Sequence, residues 1–358
     1  MKTKTAFVLQ GGGALGAYQA GATQALIEKN IHPDWLIGIS IGALNTAIIA
    51  GNKPENRITA LADFWKTISS EEIVVEHMQN LNPFMTDSVR KMLSGLDTHN
   101  TLMKGQNGFF KPKKNAFSLV GKVLSQHITE LSYYDTSELK NTLLKYVDFD
   151  LINKGDIRVS LGVVKVETGE FMYFDNTKER LTPEHFMASG ALPPGFPAIE
   201  IEGKYYWDGG IADNSAISKV IQEPLHDNWN IYQIDLWRNE HTLPSNFDEL
   251  TQRLRDIQFA SNNIEVEKYL QKRRKEKESI SFLINHIPEE MKSTENYKNL
   301  LKISNEGDIN IKRIVYQGMS HETKERPFQF GITTIKEHWE NGYNDMVKNH
   351  FKNKSNKP

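Results

Sequence analysis

One serine in the sequence has the neighbours that a nucleophile on a tight turn would need. Ser40 lies between Gly38 and Gly42 in the pentapeptide GISIG, a G-x-S-x-G pattern. In α/β hydrolases this pattern follows a strand and opens a helix, and glycine is needed where a side chain would clash in the turn. A small residue at a close contact between strand and helix is the alternative interpretation. The five residues alone leave both interpretations open.

A glycine-rich segment upstream could bind an anion. Gly11, Gly12 and Gly13 follow a short apolar run, and together with Gly16 they satisfy G-x-G-x-x-G. A dinucleotide site would also place an acidic residue after the next strand, but that strand ends at Ser40 without one. Backbone N–H groups at a helix N-terminus still favour an anion, and an oxyanion is one. A tight turn with close packing is the alternative.

A nucleophilic serine needs a base, and the sequence offers two kinds. Among the 11 histidines, His185 is the best placed, although a role in starting a helix or in packing suits it better. Asp208 ends an apolar run and is followed by Gly209 and Gly210. Asp-Gly is also a common turn signal, so Asp208 gains weight only in combination with Ser40 and the glycine loop.

Strands and helices alternate around these motifs. Apolar runs predict strands at 5–10, 34–39, 157–167, 170–175, 204–208 and 230–237, and helices at 17–29, 40–51 and 185–192. Strand–loop–helix repeats of this kind predict a parallel α/β sheet. Both glycine-rich turns would then lie at the carboxyl ends of strands, where such sheets bind ligands.

Composition excludes several classes of function. The chain has 358 residues, a formal net charge of −2 and no cysteine. A nearly balanced charge gives no reason to expect nucleic acid as a partner, and the missing thiols exclude disulfides and cysteine nucleophiles. No metal-binding motif appears, so we expect neither metal nor cofactor. The N-terminus lacks the pattern of a secretory signal, which predicts a cytoplasmic protein with at most peripheral membrane contact.

The chain divides into regions of different character. We expect a catalytic domain over 1–240 with a helical and loop insertion at about 70–150, a helical region over 241–350 and a disordered tail at 351–358. The insertion could hold a lid, because aromatic residues and lysines alternate there in a way that suits a lipid interface. An ordinary loop with one face packed on the body is the alternative. The residues concerned are Phe109, Phe110, Lys111, Lys113, Lys114 and Phe117.

The combination of motifs resembles the patatin-like phospholipases. That family has a glycine-rich loop after the first strand, G-x-S-x-G one β-α unit later and Asp-Gly-Gly further on, and the resemblance covers about residues 5–240. Two departures are Leu15, where many members have a basic residue, and Ser215, where proline is common. Malonyl transferases share a related fold but usually carry histidine where this chain has Ile39.

The resemblance implies a fold and a mechanism. The fold would be a three-layer α/β/α sandwich with a mainly parallel central sheet and a helical C-terminal elaboration. The activity would be hydrolysis of phospholipids or related lipid esters through an acyl-enzyme. Alternatives are an esterase or depolymerase acting on other acyl esters, and an inactive lipid-binding protein. The sequence carries no signal for the oligomeric state. The implied roles are Ser40 as nucleophile, Asp208 as base, and Gly11, Gly12 and Gly13 as oxyanion hole, with Gly16 shaping the turn.

Overall fold

Within the part of the chain that the structure describes, the strands form one large sheet and one small one. The computed structural model describes residues 2–70, 95, 98–99, 101–114, 127–223, 226–240, 242–261, 263–319, 322 and 325–351. The strands are β1 Thr3–Leu9, β2 Trp35–Gly38, β3 Lys111–Pro112, β4 Tyr134–Asp135, β5 Arg158–Lys165, β6 Phe171–Asp175, β7 Ile199–Ile201, β8 Lys204–Asp208, β9 Asn228–Asp235 and β10 Ile309–Val315. The large sheet has the order β10-β9-β1-β2-β5-β8-β7, with β6 also paired to β5, and β3 pairs with β4.

Helices cover both faces of the large sheet. Those that the structure describes are α1 Gly16–Glu28, α2 Ile41–Ala50, α3 Arg57–Thr67, α4 Ser137–Tyr146, α5 Phe149–Lys154, α6 Pro183–Ser189, α7 Ile217–Gln222, α8 Phe247–Phe259, α9 Asn263–Ile284, α10 Glu295–Ser304 and α11 Ile332–His350. No helix within these described ranges is both long and apolar enough to cross a membrane.

The parallel half of the sheet is buried on both faces. Strands β10, β9, β1, β2 and β5 run parallel to one another, and β1 shows how the two faces are covered. Its residues Phe7 and Leu9 join a core that includes α1, α2 and α11, whereas Ala6 and Val8 join a second core with α7 and α9. Continuous apolar strands are expected when both faces are packed. The predicted three-layer sandwich is therefore confirmed.

Strands β2 and β8 lie end to end along one edge of β5 in the large sheet. β2 pairs with residues 158–161 of β5, and β8 pairs antiparallel with residues 163–165. The other edge of β5 is occupied by β6, which pairs antiparallel over residues 160–164. Because a strand has only two edges, β8 must lie in line with β2 on the same edge. The carboxyl ends of β2 and β8 therefore point at each other, and Ser40 and Asp208 both come from this junction.

The C-terminal region is built into the sheet as well as being helical. The sequence analysis did not include β10, whose seven residues pair in parallel with β9 at the edge of the sheet. Helix α11 packs on α1 at two glycines, since a Cβ at Gly21 would overlap the Trp339 carbonyl and one at Gly342 the Tyr18 carbonyl. The predicted helical elaboration is thus confirmed. Its helix α11 buries side chains in the same core as α1.

The described part of the 70–150 insertion is packed on the body. Phe109 and Phe110 are 8% and 2% exposed, and both rings contact Phe196. Their expected role at a lipid interface is therefore wrong in this structure, because the rings are buried in an aromatic cluster. Phe117 lies outside the described residues, as do 71–94 and 115–126, so the lid stays a prediction.

Candidate active site

Ser40 occupies a sharp turn between β2 and α2. Its φ is 56° and its ψ is −124°, in a region that non-glycine residues seldom adopt. Such a conformation costs on the order of 1–3 kcal/mol and persists only where the surroundings enforce it. The glycines of GISIG allow the turn, because a Cβ at Gly42 would overlap the Leu9 carbonyl oxygen and one at Gly38 would approach the Gly42 carbonyl. The Ser40 side chain is half-buried.

Asp208 lies opposite Ser40, at the last position of β8. Its side chain is 2% exposed, and it accepts a hydrogen bond of 2.7 Å from the Gly210 N–H. Burial raises the pKa of Asp208 from 3.8 to about 7, against the opposing effects of the nearby Ser40 hydroxyl and the Gly210 N–H. A carboxylate with a pKa close to neutral is suited to accept a proton. Gly209 allows the close approach to β5, since a Cβ there would meet the Gly162 carbonyl.

The last residue of α6 and the short segment after it hold both sides of the junction. The Ser40 N–H donates to the Ser189 carbonyl at 3.0 Å and lies 3.1 Å from the Ser189 hydroxyl. That hydroxyl donates to the Gly162 carbonyl, and the Asp208 N–H donates to the Ala191 carbonyl at 3.0 Å. Two residues thus fix the spacing between the turn and the end of β8. The sequence analysis assigned them only to a helix.

The glycine loop lies directly beside Ser40. A Cβ at Gly11 would come within 2.9 Å of the Ser40 Cβ, and Gly13 has a φ of 59° in a short 3-10 turn over Gly13–Leu15. Gly16 brings α1 close to α2, since a Cβ there would press on Ile41 and Trp65. Leu15 is fully buried at the start of this helix.

Asn214 was missed by the sequence analysis and ties the loop to the Asp208 side of the site. Its side chain accepts from the Gly11 N–H at 3.0 Å and donates to the Gly11 carbonyl at 3.0 Å. The Trp237 indole also donates to that carbonyl. The Gly11 N–H is therefore already satisfied, which leaves its neighbours as the donors facing outward. The position of Asn214, six residues after Asp208, was the available signal.

Three backbone N–H groups near Ser40 have no acceptor among the described residues: those of Gly12, Gly13 and Ile41. The first two belong to the glycine loop, and Ile41 is the first residue of α2. Unsatisfied N–H groups at helix N-termini favour negative charge. The arrangement can therefore stabilise an oxyanion formed on a group bound to Ser40.

His185, the best-placed histidine in the sequence, has a structural role. It lies at the third position of α6, where its Nδ1 accepts from the Thr182 N–H at 3.0 Å in a capping box. The ring packs edge-on against Phe174, and burial lowers the pKa of His185. A neutral, capping imidazole fits the helix-start interpretation.

Residues from the C-terminal part of the sequence pack against the glycine loop. A Cβ at Gly12 would clash with the Leu236 side chain, and one at Gly13 would overlap the Pro327 carbonyl oxygen. Gln10, just before the loop, donates to the Phe259 carbonyl at 2.7 Å and is also bonded to Ser261. The shape of the loop thus depends on residues more than 200 positions away.

Comparison with known proteins identifies the family. Residues 7–221 match the family described as Patatin-like phospholipase, and residues 257–357 match one described as Patatin phospholipase. The first match covers more than half of the chain, so the chain belongs to the patatin-like phospholipase family. The predicted family is confirmed. No curated protein matches it.

Solved structures offer distant similarities. VipD from Legionella pneumophila is 16% identical with a TM-score of 0.36, and the match covers 96% of this chain and 66% of that one. Full-length ExoU, solved with SpcU from the type III secretion system of Pseudomonas aeruginosa, is 16% identical with a TM-score of 0.29. That match covers 70% of this chain and 47% of ExoU. The chain therefore spans about two thirds of VipD and about half of ExoU.

Proposed function

We propose that the protein hydrolyses carboxylic ester bonds of phospholipids or related lipids, with Ser40 as nucleophile and Asp208 as base. The observation that carries the proposal is the junction of β2 and β8. It presents a serine in a strained turn to a buried carboxyl group whose pKa is raised by burial against the lowering effect of the nearby serine hydroxyl. A nucleophile close to its base is the arrangement that activation requires.

The proposed reaction runs through an acyl-enzyme. The Asp208 carboxylate accepts the Ser40 hydroxyl proton while Oγ attacks the ester carbonyl. The N–H groups of Gly12, Gly13 and Ile41 stabilise the tetrahedral oxyanion, and a single donor of this kind is worth roughly 3–4 kcal/mol. Collapse breaks the ester bond, and the leaving alcohol takes the proton from Asp208.

Deacylation follows the same path with water in place of the alcohol. Water attacks the acyl group on Ser40 and gives a proton to Asp208. When the second tetrahedral intermediate collapses, the fatty acid leaves and the proton returns to Ser40. In both halves of the cycle Asp208 accepts the proton and then returns it.

The test compares turnover of a soluble 4-nitrophenyl ester and of micellar phospholipid by wild type and two variants. Ser40→Ala and Asp208→Asn should each lower kcat by roughly 10⁴-fold or more, because residues that act as a unit lose most of their effect together. Matched controls are Ser279→Ala and Asp227→Asn, which change the same residue types at exposed or partly exposed positions. Turnover that survives both site substitutions would refute the assignment, and a wild type without esterase activity would favour a lipid-binding role.

A further inference from the structure

Helix α8 exposes a row of apolar side chains and buries Asp256 on its other side. Four large side chains, spaced 3, 4 and 3 residues apart, point to solvent, and we call them the α8 stripe. Such spacing places residues on one face of a helix. They are Phe247, Leu250, Leu254 and Ile257, with exposed fractions of 87%, 52%, 53% and 59%.

The opposite face of α8 is anchored by an ion pair. Asp256 is fully buried and bonded to Arg326, which is 1% exposed and stacks on Trp237. These contacts fix the orientation of α8, so the α8 stripe faces solvent in a defined position. Single exposed apolar residues are ordinary, but a contiguous row of them marks a surface that meets an apolar partner.

The C-terminal end of α8 lies near the carboxyl edge of the sheet, where Ser40 is found. The chain enters α8 after β9, and α8 ends at Phe259, whose carbonyl accepts from Gln10 at 2.7 Å and from Asn214 at 3.1 Å. These two side chains also support the glycine loop. Ile211, three residues after Asp208, adds a side chain that is 47% exposed. The apolar helix and the candidate site are thus joined through the same contacts.

We propose that the α8 stripe docks the protein on the surface of a lipid bilayer. The proposal rests on the proposed function, because a site that takes lipid esters must approach the surface in which they lie. A helix of this kind lies in the interface plane with its apolar side chains among the acyl chains. A second copy of the chain fits less well. The stripe is about 15 Å long and one helix wide, whereas a stable dimer buries about 800 Å² on each partner.

The experiment is co-sedimentation of the full chain with sucrose-loaded phosphatidylcholine vesicles. Leu250→Gln combined with Leu254→Gln should weaken vesicle binding about 100-fold, roughly tenfold for each leucine removed from an apolar interface. Both side chains are more than half exposed, so the fold should tolerate the change, which circular dichroism checks. The matched control is Phe282→Gln combined with Leu283→Gln on α9, where the side chains are 65% and 56% exposed.

The control should bind vesicles like wild type, and raising the salt concentration should leave wild-type binding intact because apolar contacts are not screened. Equal binding by the α8 variant and wild type would overturn the proposal. So would equal loss in the α9 control, salt-sensitive binding or no wild-type binding. A wild-type dimer that the α8 substitutions convert to monomer in sedimentation velocity would assign the stripe to a second copy and likewise overturn it.

Turnover of soluble 4-nitrophenyl butyrate separates this proposal from the function on which it rests. The α8 variant should hydrolyse the soluble ester at the wild-type rate while its hydrolysis of vesicle phospholipid falls in parallel with binding. A wild type that binds vesicles through the stripe but hydrolyses no ester would remove the proposed function and leave the docking surface. If the wild type hydrolyses esters but the α8 substitutions leave vesicle binding unchanged, the docking surface is refuted and the proposed function stands.

Discussion

The glycine loop is held on two sides that differ in how far along the chain their residues lie. On one side are Ser40 and the turn of GISIG, within about one β-α unit of the loop. On the other side, Pro327 presses on Gly13, and Phe259 holds Asn214 and through it Gly11. The near side holds the proposed nucleophile, and the far side packs against the loop. Substitutions on the two sides should therefore differ in whether activity or stability changes first.

The largest effect on stability is expected on the far side, at the buried ion pair. Arg326→Met leaves Asp256 as a buried charge without its partner and should lower the free energy of unfolding by about 3–5 kcal/mol. Adding Asp256→Asn to it removes that charge and should restore a large part of the loss. Urea unfolding measures both variants. Equal stability of Arg326→Met and wild type would show that the far side does not support the loop.

At the end of β8, opposite Ser40, removing the candidate base should make the protein more stable. The pKa of Asp208 is about 7 in the folded state against 3.8 ordinarily, so the folded state binds the proton more tightly than the unfolded one. Stability from this group is present at low pH and is lost as pH rises from about 4 to about 7. Asp208→Asn should therefore raise the free energy of unfolding at pH 8, by at most about 4 kcal/mol, with little change at pH 4.

Urea unfolding at the two pH values checks this prediction. Asp227→Asn is the control, since the pKa of Asp227 is lowered rather than raised by its partner Lys4 and its carboxyl is not fully buried. A gain in stability from Asp208→Asn that is the same at pH 4 and pH 8 would contradict the raised pKa.

The smallest effect is expected where the two sides meet, at Gly13. Gly13→Ala combines a positive φ with overlap against the Pro327 carbonyl, whereas Gly155→Ala has a φ of 83° and nothing within 4 Å of the new Cβ. Placing alanine at a positive φ lowers the free energy of unfolding by about 1 kcal/mol through backbone conformation alone. Gly13→Ala should cost about twice as much and also lower kcat, while Gly155→Ala should leave kcat unchanged. Thermal unfolding and ester turnover measure both variants. Equal effects of the two substitutions would show that the contact of Gly13 with Pro327 does not matter.

The parts of the site that depend on local sequence were predictable. The turn at Ser40 and the glycine loop each follow from a strand, small residues and a helix within about 15 positions, and Asp208 from the end of a strand followed by two glycines. Their meeting was not predictable from periodicity alone. It depends on β8 pairing with the same edge of β5 as β2, just beyond the end of β2. Strands far apart in the sequence decide which edge β8 occupies.

Supporting residues escaped the sequence analysis for a similar reason. Asn214 and Ser189 act through hydrogen bonds to backbone atoms far along the chain, and neither belongs to a motif with its own periodicity. Phe109 and Phe110 lie among lysines, but their rings turn inward onto Phe196, and sequence spacing does not report the direction of a loop side chain. The strand β10 alternates apolar and polar residues at the sheet edge but lies within a mostly helical, charged region.

The most direct test of the central claim is the rate at which a fluorophosphonate labels Ser40 across the range from about pH 5 to about pH 9, followed by intact mass and peptide mapping. We predict a single adduct on Ser40, a labelling rate that rises with a midpoint near pH 7 as Asp208 loses its proton, and loss of this rise in Asp208→Asn. A folded protein that takes no label at Ser40, or labelling that is independent of pH and unchanged by Asp208→Asn, would contradict the claim that these two residues form the active site.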